Sequence, residues 1–384
     1  MSKLIATFRL LQNEAIDIVS AVAEEHYHNQ FHHDLSPIGW HLGHCIFTES
    51  YWIKEQLLEK KVVDDSLKSL YVPELSAKKS RGAALPEKSN LLTWARDTQA
   101  ENFSLLESAV TQLNSHKLLL NNYLIHFLIQ HYSQHIETMM MVLTAIQIQH
   151  DHAEFTPSKT LSSNNQQLDL INVESSIYTI GLEENHLPYD NEHPIHRVEL
   201  DSFKIANLPV SNGEYLNFMN STDYSTKELW SNEGWEWFNI SKQAHPYHWQ
   251  RHNNGNWYGI NHQGAFSLDE QEAVYGLSQF EAEAYARWSG GRLPHEYEWE
   301  AAVNNAQIEH VGFIWEWCAN DFHPYDGFSA YPYEGYSAPY FDGQHYVLKG
   351  GSRYTKEHIK RASFRNYYQA DKRHIFAGCR LVYD

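Results

Sequence analysis

Cysteine is scarce, with 3 in 384 residues. Cys45, Cys318 and Cys379 are odd in number and far apart, which fits neither a disulfide framework nor a CxxC zinc site. No apolar run approaches the roughly 20 residues that a membrane span requires. The opening stretch, MSKLIATFRLLQNEA, spreads its charges throughout and has no small-residue cleavage site, so no export signal is expected. Positive charge is also short: 29 Lys plus Arg stand against 48 Asp plus Glu, a net −19, which argues against nucleic acid or an anionic membrane as partner. The cytoplasm is the expected compartment.

Apolar residues make up 42% and aromatics 14%, enough for sizeable cores, and the length implies about two domains. Residues 1–150 read as helical. Apolar residues recur at helical spacing from Leu4 through Val22, Pro37 to Leu58, Leu91 to Leu113 and Leu118 to Ile148, predicting a four-helix bundle. The stretch from Lys60 to Lys88 is too long for a simple turn and predicts a functional loop. Residues 151–172 are polar and rich in Ser, Asn and Gln, as in a linker. Beyond them, residues 173–384 alternate short β-like runs with Gly, Asn and Pro turns and show one evident helix, Ser278 to Trp288, predicting a loop-rich α+β domain.

Histidine is frequent, at 25. In LIHFLIQHYSQHIETMMMVL, His131 and His135 stand four residues apart on one helical face, and Gln134 completes a polar strip on an otherwise apolar helix. Buried polar groups need partners, and two imidazoles at this spacing can share a metal ion. A further ligand is offered by SPIGWHLGHCIFTESYWI. Ser36 as N-cap and Pro37 at the first position would open a helix bearing His41 and His44. Three histidines leave open positions, which suits non-haem Fe(II), although zinc also accepts three histidines.

The landmarks LPVSNGEYLNFM, GLSQFEAEAYARWSGGRLPHEYEWEAA, GFIWEWCANDF, VLKGGSRY and RNYYQADKRHIFAGCRL resemble, in order, the formylglycine-generating-enzyme (sulfatase-modifying factor) domain, a C-type-lectin-like fold. The first domain, with HLGH and then His131, His135 and Glu137 as H-x-x-x-H-x-E, resembles the DinB-like bundle. In this order the pair is similar to the ergothioneine-type sulfoxide synthases, non-haem iron enzymes that join a thiol sulfur to a histidine imidazole with dioxygen. The resemblance implies an Fe(2+)- and O2-dependent oxidoreductase acting on small molecules: trimethylhistidine (hercynine), a thiol and dioxygen.

Carried over residue by residue, the resemblance implies metal ligation by His44, His131 and His135, with His41 as the alternative first ligand, and an orienting role for Glu137. It implies substrate binding by Gln134 and Asn366. Tyr367 and Tyr368 would offer cation–π contacts to a quaternary ammonium. Tyr333, Tyr336 and Tyr340 are candidate catalytic proton donors, among which the sequence does not choose. The resemblance also implies Arg81, in the first domain's long loop, as a substrate-binding cation. Dipeptide-using relatives hold γ-glutamylcysteine with loop arginines and an acid two positions after the asparagine. Here that position is Tyr368, so cysteine is the expected donor.

Competing readings are a selenoneine synthase using a selenosugar, an ovothiol-type 5-histidylcysteine sulfoxide synthase and a non-catalytic lectin-like binding protein. A formylglycine-generating oxidase would need a cysteine pair shortly after the GGS motif, and GSRYTKEHIKRASF contains none. Trp299, Trp315 and Trp317 read as core aromatics, and Gly350-Gly351 as a place where a side chain would obstruct the backbone.

Overall fold

The structure is a computed structural model describing residues 2–60, 64–113, 115–165, 169–183, 189–305, 308–331 and 333–384. It divides into two compact units, Met1–His150 and Asp151–Asp384. No helix among the described residues is long and apolar enough to cross a membrane.

The first unit is built on α1 (Ser2–Ala21), a one-turn α2 (Glu24–Tyr27), α3 (Ile38–Ser50), α4 (Asp65–Tyr71), α5 (Lys78–Ala84), α6 (Lys88–Gln112) and α7 (Tyr123–Gln149). The four long helices α1, α3, α6 and α7 form the expected bundle. Each presents an apolar stripe to a core that includes Phe8, Ile46, Leu91, Leu128 and Met139. Two local expectations are corrected. Helix α3 has Pro37 itself as N-cap with no side-chain capping bond, because the Ser36 hydroxyl instead accepts from Arg81. The stretch from Lys60 to Lys88 is no plain loop: its residues 61–63 lie outside the described residues, and the rest holds α4 and α5. After Ser50 the helix continues as a π-helix, Tyr51–Leu57, whose wider turn carries Trp52 against Phe127 and Lys54 to Glu101.

Among its described residues the second unit contains twelve short strands. The largest sheet orders β10 (Asn366–Gln369), β9 (His345–Lys349), β8 (Trp315–Asp321) and β11 (Ala377–Gly378), antiparallel except for the parallel β8–β11 pair. A second sheet orders β1 (Leu170–Val173), β4 (Phe203–Ala206) and β12 (Val382–Tyr383). Strands β2 (Ser176–Ile180) and β3 (His196–Leu200) pair with each other. The last sheet holds β5 (Trp249–Arg251), β6 (Trp257–Asn261) and β7 (Gly264–Phe266). Instead of one α-helix, the described residues hold four, α8 (Asn212–Asn220), α9 (Asn232–Ser241), α10 (Gln279–Trp288) and α11 (Glu296–Asn305). Of the three that the sequence hides, α8 and α9 are short and rich in Asn, aromatic and Gly residues of modest helix propensity. What starts α8 is local: Ser211 and Glu214 form a reciprocal capping box.

Carboxylates stitch these helices to the sheet. Glu300 of α11 accepts from Lys349 of β9 at 3.0 Å, with both side chains enclosed, and from the backbone N–H of Gly181. Glu316 of β8 accepts from Arg380 and from the Trp299 indole N–H at 2.6 Å. Glu296 holds Arg365 through two bonds, at 2.7 and 2.8 Å. Trp299, Trp315 and Trp317 are core aromatics. At Gly350, φ is +93° and a Cβ would stand 3.1 Å from the Trp299 ring, so both backbone and space require glycine.

Removing one partner of an enclosed pair leaves an uncompensated charge, which costs about 3 to 5 kcal/mol. Lys349→Met is therefore expected to lower the denaturant midpoint of the second unit, followed by tryptophan fluorescence. Adding Glu300→Gln to it is expected to recover most of the loss.

Candidate metal centre

His44 lies on α3, and His131 and His135 lie one turn apart on α7. The fold brings the three together: one ring nitrogen from each lies within 4.8 Å of the others. Nε2 of His44 is 3.1 Å from Nε2 of His131. His41 sits at the edge, with its Nδ1 3.2 Å from Nδ1 of His135.

His44 is held from two sides. Its Nδ1 lies 2.7 Å from the carbonyl oxygen of Tyr71. A carbonyl only accepts, so Nδ1 carries the proton, and in the neutral ring Nε2 bears the lone pair that faces His131. The face of the ring stacks on Trp40 at 4.8 Å between centroids, and the Arg81 guanidinium lies over the same indole at 3.8 Å. Gly43 makes room for this arrangement, since a Cβ there would stand 2.2 Å from the Tyr71 ring. Tyr71 has little freedom to yield, being buried and stacked on Trp94.

Burial holds all these imidazoles neutral. It pushes His44 down to about 4 and His41 to about 3, and it pushes His131 and His135 well below the ordinary range, with neighbouring imidazoles adding to the effect. Neutral imidazole is the form that ligates metal. Nδ1 of His131 and Nε2 of His41 are buried without a hydrogen-bond partner. Three neutral nitrogen donors converging in an enclosed space fit a divalent transition metal.

Gln134 and Glu137 lie on α7 with the histidines, Glu137 buried and Gln134 half-buried. Arg81 is buried, and its donors are taken by the Ser36 and Ser76 hydroxyls and the carbonyls of Pro73 and Ser76. Its guanidinium also lies over the Trp40 indole, which braces α5 against α3. Asn366, Tyr367 and Tyr368 follow one another on β10, where successive side chains take opposite faces. The two tyrosines therefore do not form one wall. Tyr367 packs between Phe322 at 4.2 Å and Tyr340 at 4.9 Å, and its hydroxyl donates to the Tyr336 carbonyl. Tyr368 lies with its ring 5.9 Å from that of His374. Tyr336 stacks on Tyr189 at 4.4 Å, and Tyr333 is the exposed member of the three candidate donors. Pro332, which opens that segment, lies outside the described residues.

Sequence reasoning missed Trp40, Tyr71 and Glu49. Trp40 and Tyr71 gave no signal beyond their aromaticity. Glu49 did: it is a lone carboxylate in the apolar run HCIFTESYWI.

Gly43→Ala is expected to destabilise the first unit by about 1 to 3 kcal/mol, the usual cost of overpacking. By moving Tyr71 it is also expected to abolish the protonated-Nδ1 signature of His44 in imidazole nitrogen NMR of the metal-free protein. Retention of that signal would show that Tyr71 is not what fixes the tautomer.

Comparison with known proteins matches two regions of the chain. Residues 157–311 and 307–384 match the sulfatase-modifying factor enzyme 1-like domain, and residues 7–139 match the DinB superfamily. The chain is 29% identical over 239 residues to a hercynine oxygenase of Mycobacterium tuberculosis, covering 51% of this chain and 56% of that protein. It is 27% identical over 235 residues to ergothioneine biosynthesis protein 1 of Schizosaccharomyces pombe, covering 51% of this chain and 28% of that protein. Over 143 residues it is 29% identical to the formylglycine-generating enzyme of Bos taurus, covering 34% of this chain and 38% of that enzyme. The chain spans about half the length of the hercynine oxygenases it matches. Among solved structures, PvdO from Pseudomonas aeruginosa aligns with a TM-score of 0.39 at 13% identity, over 60% of this chain and 99% of that one, a likeness too slight to argue from. The domain pair expected from the motifs is thus borne out, and the chain belongs to the sulfatase-modifying factor enzyme 1-like family, with a DinB-superfamily bundle as its first unit.

Proposed function

We propose that this chain is a non-haem Fe(II) oxygenase that joins a thiol, with cysteine as donor, to the imidazole ring of hercynine using dioxygen. One observation carries the reading. His44, His131 and His135 converge as neutral donors on a DinB-superfamily bundle, in a chain whose second unit belongs to a family of which some members are named formylglycine-generating enzymes. The relatives named hercynine oxygenase suggest the substrate.

The reaction balances without a further reductant. The imidazole C–H and the thiol S–H are replaced by one C–S bond, their two hydrogens leave as water with one oxygen atom, and the other oxygen stays on sulfur as the sulfoxide. Iron, when bound, would supply the exchangeable positions and the redox capacity that dioxygen chemistry requires. The three imidazoles would hold it without adding charge, leaving net positive charge to favour deprotonation of a thiol. His44 is preset for this role by the Tyr71 carbonyl and the Trp40 stack. Gln134, one turn from His131, is assigned to the substrate as an amide that can bond a polar group without competing strongly for iron. In the second unit, Asn366 and Tyr368 keep their substrate-binding assignment, and Tyr333, Tyr336 and Tyr340 are the candidates for returning a proton to reduced oxygen.

Each of His44→Ala, His131→Ala and His135→Ala is expected to lose most of its iron while keeping its helical circular dichroism, whereas His41→Ala keeps its iron. Iron analysis after anaerobic reconstitution checks this. If His41→Ala loses metal and His44→Ala does not, the ligand assignment is reversed.

The donor is argued from charge. Tyr368 replaces the acid that would pair a γ-glutamyl ammonium, and Arg81 has its donors bonded elsewhere. With hercynine as co-substrate, kcat/KM is expected to favour cysteine over γ-glutamylcysteine, with a selenosugar run alongside. A tenfold preference for the dipeptide, about 1.4 kcal/mol of discrimination, would overturn the assignment.

A further inference from the structure

We propose that Glu49 is a positioning residue for the three-histidine centre: its carboxylate holds the ligand-bearing helices α3 and α7 at the rotation that makes their imidazoles converge. The inference rests on the metal-centre reading above.

Glu49 is completely buried on α3, five residues beyond His44. At about 100° per residue that separation is about 140° around the helix, so the carboxylate and the imidazole leave α3 on different sides and Glu49 is no ligand. What it meets is one neutral donor from each of the other long helices. Its Oε2 accepts from Gln12 Nε2 of α1 at 2.9 Å and from the Tyr132 hydroxyl of α7 at 2.8 Å, and its Oε1 accepts from Asn102 Nδ2 of α6 at 3.0 Å. The shell closes on itself: Asn102 Nδ2 also donates to Ser50 Oγ at 3.0 Å, and Gln99 Nε2 reaches the Tyr132 hydroxyl at 3.3 Å. Tyr132 adjoins His131 in sequence, so the bond to Tyr132 sets how far α7 is turned.

Burying a carboxylate among neutral donors is a poor means of stabilising a bundle, since well-packed apolar side chains do as well or better. Consistent with that, burial pushes the Glu49 carboxyl up to about 7 despite its three donors. What directional bonds add is a specified geometry. An imidazole nitrogen stands about 6 Å from its helix axis, so a turn of about 5° moves it about 0.5 Å, beyond the roughly 0.2 Å that metal–ligand distances tolerate. Apolar contacts are non-directional, whereas bonds from three helices to one carboxylate on a fourth oppose such a turn.

The test uses the full metal-free chain and its Glu49→Ala, Glu49→Gln and Tyr132→Phe variants, titrated anaerobically with Fe(II) and with Co(II). Affinity, the visible Co(II) spectrum, helical circular dichroism and the unfolding midpoint are read together. At a temperature where its helicity equals wild type, Glu49→Ala is expected to lose tenfold or more in affinity and to change the Co(II) spectrum. Glu49→Gln is expected to stay within about threefold of wild type. Its oxygen still accepts from Gln12 and Tyr132, and its amide N–H meets Asn102, whose unpartnered Oδ1 turns to accept it. Tyr132→Phe, which keeps the ring on Phe8, is expected to fall between them and decides the matter if Glu49→Ala does not fold.

A residue that merely stabilised the fold would lower the unfolding midpoint and leave affinity and spectrum unchanged. That result in folded Glu49→Ala, or in Tyr132→Phe if the alanine variant is unfolded, overturns the inference. So does a Glu49→Gln variant as weak as Glu49→Ala, because charge rather than geometry would then be what matters. A wild-type chain that binds neither ion overturns the metal-centre reading as well.

Discussion

A polar group taken out of water must find a partner or lose its charge, and both units of this protein are arranged around that constraint. The second unit satisfies it with charge. Glu296, Glu300 and Glu316 are enclosed beside Arg365, Lys349 and Arg380, and Glu300 also accepts from the Gly181 backbone N–H and Glu316 from the Trp299 indole. A loop-rich domain with short strands has few long hydrogen-bond ladders to define it. Directional ion pairs between helix and sheet supply that definition.

At its histidine cluster and at Glu49 the first unit meets the same demand with neutral hydrogen-bond partners. Its histidines are neutral because burial makes protonation unfavourable, and its buried carboxyl at Glu49 is surrounded by amides and a phenol. Neutral imidazoles clustered within 4.8 Å are unfavourable neighbours for one another and favourable ones for a cation. The geometry that makes the apo site electrostatically awkward is the geometry that suits it to a metal. Tyr71 and Trp40 complete it by setting the tautomer and plane of His44.

Much of this was legible in the residues. Helical periodicity marked the four long helices, because each buries one stripe and exposes the rest. The i, i+4 spacing of His131 and His135 placed both on one face of α7. The change of texture after residue 150 announced a different class of domain. Less legible were features that depend on a neighbour distant in sequence. Arg81 reads as a free loop cation until α5 and Trp40 enclose it, and Tyr367 and Tyr368 read as a pair until β10 sends them to opposite faces. The short helices α8 and α9 carry Asn, Gly and aromatic residues of modest helix propensity, which hides them among turns.

By itself, then, the sequence determined the two-domain order, the family motifs and the residue types able to hold a metal, since composition, spacing and periodicity are local properties of the chain. Only the tertiary structure decided that His44 rather than His41 joins His131 and His135 in one cluster, that its Nε2 is the nitrogen presented, and that Glu49 ties four helices together. Those outcomes depend on helix rotation and on a carbonyl 27 residues away. A rotation of a few degrees leaves the apolar pattern unchanged while moving a nitrogen by a fraction of an ångström, so no pattern in the sequence records it.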